Sequence, residues 1–105
     1  MTKEVRTAFV AASAANAAAE AAAEAKNLLS LDPTRWAFAD QAYWLCRQAQ
    51  KDCESAMDAL DPEEAETNGL VLEAHSTAAC ASMNACEAAE ELVSLAEAAG
   101  HEIRR

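Results

Sequence analysis

The most regular pattern in the chain lies between residues 33 and 60, where apolar side chains recur at intervals of three and four. The series consists of Trp36, Ala39, Tyr43, Cys46, Gln50, Cys53, Met57 and Leu60. This spacing is typical of the core-facing stripe of a helix in a bundle. It predicts a long amphipathic helix from about residue 33 to residue 60.

The first thirty residues carry a second helical pattern, which is written almost entirely in alanine. Alanine fills 12 of the 18 positions from Ala8 to Ala25. It is the best helix former, because it loses no side-chain entropy when the helix forms. The segment therefore predicts a helix over about 2–30. Since its polar residues form only a narrow strip, we expect this helix to have close neighbours on two sides.

A third helical pattern extends from about residue 70 to residue 99, where two apolar series lie side by side. One series is Leu72, His75, Ala79, Ser82, Cys86, Ala89 and Val93, and the other is Val71, Ala74, Ala78, Ala81, Ala85, Ala88, Leu92 and Leu95. Both have the period of a helix, and Gly100 follows as its predicted C-terminal cap. No segment shows the alternation of a β-strand.

The breaks between these patterns are short. Asp32-Pro33 and Asp61-Pro62 each predict a helix start, with aspartate as N-cap and proline in the first helical position. An acidic turn or short helix is predicted over 61–69, and Gly69 is predicted to stop or kink the chain. The fold class is therefore all-α, a single domain over 1–105. We expect an antiparallel up-down-up bundle of three long helices, with enough apolar surface to dimerise into a larger bundle.

The charge balance narrows the range of partners. The chain has 18 acidic and 8 basic residues and a net charge of −10. Non-specific binding of nucleic acid or of an anionic membrane surface requires a positive footprint, so both are disfavoured. The acidity either keeps an alanine-rich surface soluble or suits a basic protein partner. No signal segment or membrane-spanning run is recognisable, which predicts a cytoplasmic protein.

Seven residues are candidates for a protein interaction. Five form what we call the acidic cluster: Asp58, Asp61, Glu63, Glu64 and Glu66. In the predicted topology this cluster lies at the same end as Lys3 and Arg6, and the basic pair Arg104 and Arg105 lies at the other end. The remaining two candidates are Phe38 and Trp44, which fall outside the apolar series of the second helix. Large aromatic residues there either pack against a neighbouring helix of the bundle or belong to a partner surface.

The four cysteines are the only soft, reactive groups. A hairpin of the second and third helices sets Cys46 opposite Cys86 and Cys53 level with Cys80, which resembles the arrangement in twin-cysteine helical hairpins. However, Cys46 and Cys53 share a helix face, whereas Cys80 and Cys86 are about 120° apart. Both bridges therefore cannot form together. Packing as small apolar residues is the favoured interpretation.

Copper(I) binding is the alternative for these residues. Thiolates and thioethers are ligands that Cu(I) prefers, and one interior could receive the side chains of Cys46, Cys53, Met57, His75, Met83 and Cys86. The segment from Cys46 to Cys53 followed by Met57, and the segment Met83-Asn-Ala-Cys86, are similar to the repeated core motifs of cysteine-rich four-helix-bundle copper-binding proteins. The first helix has alanine where that family has cysteine, and a fourth helix is absent. The resemblance implies Cu(I) as a cofactor.

Catalytic motifs are absent from the sequence. Neither histidine has a glutamate three positions before it, as a di-iron bundle requires, and no nucleophile elbow, phosphate loop or dinucleotide fingerprint is found. The sequence therefore predicts a non-enzymatic protein without a cofactor, which acts by contact with a basic protein surface as an adaptor, an immunity-type protein or an anti-defence inhibitor. The alternatives are a Cu(I)-binding or thiol-redox bundle and a structural subunit of a larger assembly.

Overall fold

Three long helices and one short helix make up the computed structural model, which describes residues 2–103. The helices are α1 (Lys3–Leu31), α2 (Trp36–Ala59), α3 (Pro62–Thr67) and α4 (Gly69–Ala98). The long helices α1, α2 and α4 all pack against one another and form a rod of 50 × 19 × 16 Å. The prediction of an all-α bundle of three long helices is confirmed. Arg104 and Arg105 lie outside the described residues.

The core is built mainly from alanine methyl groups, because each long helix turns an alanine row towards the other two. On α1 the buried row contains Ala8, Ala15, Ala22 and Ala25. Successive members are seven, seven and three residues apart, so they lie on one face of the helix. The largest fully buried side chains are Leu92, Val5, Val71, Cys46 and Cys53. With so few large side chains inside, the stability of the bundle depends on close approach of the helix backbones.

The apolar series of α2 is confirmed, since every member is buried or half-buried. Of the two series predicted for α4, the one that begins at Val71 faces the core along most of its length. In the other series Leu72 and His75 are exposed, although Ser82 and Ala89 are buried. The core-facing stripe of α4 is therefore centred on its alanines.

The start of α2 differs from the prediction. Asp32 does not cap a helix that begins at Pro33. Its Oδ1 accepts hydrogen bonds from the hydroxyl of Thr34 at 2.6 Å and from the Thr34 N–H at 3.1 Å, and its Oδ2 accepts one from Arg35 Nε at 3.3 Å. These bonds, chiefly the one from the Thr34 hydroxyl, lower the pKa of the Asp32 carboxyl. The short aspartate side chain thus stabilises a turn, and the helix begins at Trp36.

The second Asp-Pro pair behaves as predicted. Asp61 accepts a hydrogen bond from the Glu63 N–H at 2.9 Å, and Pro62 is the first residue of α3. Seven residues after Asp61, the Asn68 side chain accepts a hydrogen bond from the Leu70 N–H at 3.0 Å and caps the start of α4. Gly69 is therefore the first residue of α4 rather than a helix stop.

The end of α4 is closed by a glycine turn, as predicted. Gly100 has φ = 78°, in the left-handed region. Its N–H donates to the Glu97 carbonyl at 3.1 Å, and the His101 N–H donates to the Ala96 carbonyl at 2.8 Å. This pair of bonds is a Schellman motif. The turn carries Ile103 into the core, where it is buried.

We expect Gly100→Ala to reduce the free energy of unfolding by about 1 kcal/mol, because an L-residue with a Cβ atom is strained at positive φ. Gly69→Ala is the matched control, since a Cβ atom at Gly69 meets no atom within 4 Å and φ there is ordinary. Urea unfolding followed by circular dichroism measures both. Equal stability of the two variants would contradict the role of the turn.

Candidate protein-binding face

Helices α1 and α2 leave an open apolar groove between them on one side of the bundle, which we call the α1–α2 groove. It consists of two hollows of about 230 Å³ and 300 Å³ that lie end to end and share Leu45. From α1 the lining residues are Ala14, Ala17, Ala18, Ala21, Glu24, Ala25 and Leu28, and from α2 they are Phe38, Gln41, Ala42, Leu45, Gln48, Ala49 and Asp52. Along α1 the groove extends over about four helical turns, or about 21 Å.

The groove exists because α1 has alanine on every side, while α2 and α4 cover only part of its circumference. Ala15 is fully buried, whereas Ala14 and Ala17 are exposed. Phe38 and Leu45, which are seven residues apart on one face of α2, are 50% and 49% exposed beside them. Several large and small apolar residues are thus exposed next to each other, which is a feature of protein-binding surfaces.

The charged side chains that line the groove are both acidic. Glu24 lies in one hollow and Asp52 in the other. Asp52 accepts a hydrogen bond from Gln48 Nε2 at 3.0 Å. At the end of the groove the guanidinium of Arg35 lies 5.9 Å from the centroid of the Phe38 ring, but it forms an ion pair with Asp32. The groove therefore offers an apolar floor with unneutralised carboxylates along it.

The two aromatic residues predicted as interaction residues lie on different faces of α2. Trp44 is 43% exposed and makes an edge-to-face contact with Tyr43, at 5.4 Å between ring centroids. It follows Phe38 by six residues and is therefore about 120° round the helix. Phe38 belongs to the groove and Trp44 does not. Sequence reasoning missed Leu45, although its seven-residue spacing from Phe38 marked a second apolar stripe.

The acidic cluster is separate from the groove. All five of its side chains are exposed, and Asp61 also caps α3. Along α2, Asp58 lies about 30 Å from Phe38 at one end of the groove and about 9 Å from Asp52 at the other. The two ion pairs found within residues 2–103, Lys26–Glu91 and Arg35–Asp32, do not involve the cluster. It is a solvated patch of one sign at the α3 end of the bundle.

The buried cysteines serve as core residues. Cys46 and Cys53 are fully buried, and the Cys46 thiol donates to the Ala18 carbonyl at 3.4 Å. Burial raises the pKa of the Cys46 thiol, and burial together with the charges of Asp52 and Glu54 raises that of Cys53. Both thiols are therefore held in the neutral form, which is neither nucleophilic nor a good metal ligand.

The other two cysteines are closer to the surface. Cys80 is exposed and Cys86 is half-buried, with one guanidinium nitrogen of Arg47 at 3.8 Å from the Cys86 sulfur. All four cysteines are free thiols. The pairing of Cys46 with Cys86 and of Cys53 with Cys80 is thus not formed in this structure.

The six candidate copper ligands do not converge, which corrects the expectation that they share one interior. Met83 is 64% exposed and His75 is exposed, while Met57 is half-buried. Met83 lies two residues from both Ala81 and Ala85, which face the core, so its side chain is about 200° round α4 from theirs. Within residues 2–103 no group of three or more histidine, cysteine or acidic side chains is arranged to hold a metal ion.

Two further observations bear on function. No helix in the described part of the chain has the length and apolar character needed to cross a bilayer. Comparison of the chain with protein-family models, with curated proteins and with solved structures finds no match. A functional assignment therefore depends on the surface geometry.

Proposed function

We propose that this protein acts by binding a protein partner, and that it accepts an amphipathic helix of that partner in the α1–α2 groove. The supporting observation is the exposure of Phe38 and Leu45 beside the exposed alanines of α1. Helix-in-groove recognition uses this combination of an apolar channel and a helical ligand with anchors three, four and seven residues apart.

The shape of the groove supports a helix as the ligand. Exposed alanines such as Ala14 and Ala17 present only methyl groups, so a partner helix can approach the α1 backbone closely. The two hollows lie about two helical turns apart along α1. Two large apolar side chains seven residues apart on the partner helix would fill them. Such a helix adds a fourth member to the three-helix bundle along its open side.

The charge of the groove supports a basic partner rather than a second copy of this chain. Glu24 and Asp52 favour a helix with lysine or arginine beside its apolar stripe. Two copies placed face to face would bring these carboxylates together, and each copy carries a net charge of −10. Adaptors, immunity-type proteins and anti-defence inhibitors all act through contacts of this kind, and the proposal covers all three.

Site-specific photo-crosslinking tests the proposal. The crosslinker p-benzoylphenylalanine replaces Gln41 in the groove or, as the control, Ser76, which is exposed on the side of α4 that faces away from it. In the source cells we expect Gln41 to crosslink to a helical segment of another protein that has a three-and-four apolar spacing and flanking basic residues. Crosslinks only to a second copy of this chain would favour the structural-subunit alternative and contradict the proposal. The proposal is also contradicted if the crosslinker at Ser76 gives the same products as the crosslinker at Gln41.

We propose that the acidic cluster raises the rate of association with a basic partner and has little effect on the rate of dissociation. The triple variant Glu63→Lys, Glu64→Lys and Glu66→Lys is expected to lower the association rate about tenfold at low ionic strength. The dissociation rate should change much less, because no residue of α3 lines the groove. Stopped-flow measurements with the crosslinked segment as a peptide, at several salt concentrations, give both rates. An association rate equal to that of the wild-type protein at low salt contradicts this role.

A further inference from the structure

A cavity of about 490 Å³ lies at the end of the bundle where α1 ends, α2 begins and α4 ends, away from the α1–α2 groove. Its walls are largely apolar and include Leu29, Pro33, Trp36 and Leu95. The ring of His101 packs on Trp36, with 4.7 Å between ring centroids, and so holds the indole in place. A cavity of this size with aromatic and aliphatic walls is typical of small-molecule sites.

The charged group that lines this cavity is a cation. Lys26 lines it together with Asn27, and none of the described residues in its lining carries a carboxylate. The Lys26 ammonium forms an ion pair with Glu91, but an ammonium has three donors, so two are left for another acceptor. Ser30 also lines the cavity, and its hydroxyl already donates to the Lys26 carbonyl at 3.3 Å.

The indole N–H of Trp36 is buried and has no hydrogen-bond partner among residues 2–103. Buried donors in proteins are almost always paired, so an unpaired donor on a residue that lines the cavity favours a ligand that brings an acceptor. A carboxylate has about four acceptor sites, so it can receive hydrogen bonds from more than one donor at once.

From these observations we propose that this cavity binds a small monocarboxylate with an aromatic or branched aliphatic body. The body lies on Leu29, Leu95 and the face of the Trp36 ring, and the carboxylate lies among the donors of Lys26, Asn27 and the Trp36 indole. An amine of the same shape would place its charge against the Lys26 ammonium. The acidic cluster lies at the opposite end of the 50 Å rod, well beyond the screening length of about 8 Å at physiological salt. The like charges close by are those of Glu87, Glu90 and Glu91, which line an adjoining hollow that shares Lys26 and Leu95 with this cavity.

The test uses the full chain with Trp44→Phe, which leaves Trp36 as its only tryptophan. Proton–nitrogen NMR follows the Trp36 indole N–H during titration with 3-phenylpropanoate and, as the control of similar shape and opposite charge, with 3-phenylpropylamine. We expect the carboxylate to shift this signal to saturation with a millimolar or lower dissociation constant, and the amine to leave it in place. Equal binding of the amine, or no response to the carboxylate, overturns the proposal.

Two variants examine the charges. Lys26→Met should weaken binding of the carboxylate at least tenfold, whereas Glu91→Gln should strengthen it about threefold because it removes one of the nearby like charges and frees the Lys26 ammonium from its ion pair. Weaker binding of the carboxylate by Glu91→Gln would contradict the proposal that the ligand's charged group is negative. Leu95→Trp, which fills the cavity, should abolish binding while circular dichroism shows a folded bundle. Phe38→Ala should leave carboxylate affinity unchanged, so this site is tested independently of the groove.

Discussion

The Ala15→Leu variant is expected to lose about 3 kcal/mol of unfolding free energy, whereas Ala17→Leu stays within about 0.5 kcal/mol of the wild-type protein. Ala15 is fully buried, and a leucine there adds three carbon atoms where helix backbones approach each other closely. Ala17 is exposed in the α1–α2 groove, so the same three atoms enter solvent-filled space. The two substitutions are chemically identical and only two residues apart.

Urea unfolding of the wild-type protein and both variants, followed by circular dichroism, measures this difference. Ala78→Leu, at a fully buried position on α4, is a second interior variant and should behave like Ala15→Leu. A loss of about 3 kcal/mol is a large part of the stability of a domain of this size, so the shift of the unfolding midpoint is readily seen. Equal stability of Ala15→Leu and Ala17→Leu would show that α1 is not packed as described.

The Phe38→Ala variant is expected to bind the partner helix at least 30-fold more weakly, with little change in stability. Phe38 is half exposed in the free protein, so its removal costs the fold little. In the complex its ring becomes a buried aromatic anchor, and such residues contribute about 2 kcal/mol or more to binding. Trp44→Ala is the matched control, because Trp44 is exposed to a similar degree on a different face of α2.

Isothermal titration of the crosslinked partner segment into the two variants gives their affinities. The two aromatic residues are indistinguishable in sequence terms, since both fall outside the core series of α2. If Trp44→Ala weakens binding as much as Phe38→Ala does, the partner contacts the outer face of α2 and the groove is not its site.

Most of the fold could be predicted from spacing and capping alone. The core series of α2 could be predicted because its three-and-four spacing continues without a break from Trp36 to Leu60. The start of α2 could not be predicted, because an aspartate before a proline can either cap a helix or close a turn. Asp61 caps a helix, whereas Asp32 closes a turn. Asp32 does so because the side chains of Thr34 and Arg35 donate hydrogen bonds to its carboxylate.

The candidate site could be predicted only in part, and alanine is the reason. A helix with alanine on every side has no hydrophobic face, so its sequence cannot distinguish buried Ala15 from exposed Ala17. Only the position of α2 and α4 around α1 decides which alanines remain open. The copper hypothesis met the same difficulty, because the spacing on α4 allowed the Met83 side chain to lie in the core. In the structure the alanine row of α4 faces the core and Met83 is exposed.

Alanine methyl groups report directly on whether the partner helix binds in the α1–α2 groove. In carbon–proton NMR of protein labelled at its alanine methyl groups, addition of the partner segment should shift the signals of Ala14, Ala17 and Ala21 most strongly. Those of Ala98 and Ala99, at the C-terminal end of α4 and outside the lining of the groove, should not move. If the largest shifts occur on α4 or beside the acidic cluster and the groove signals stay unchanged, the partner helix does not bind in the α1–α2 groove.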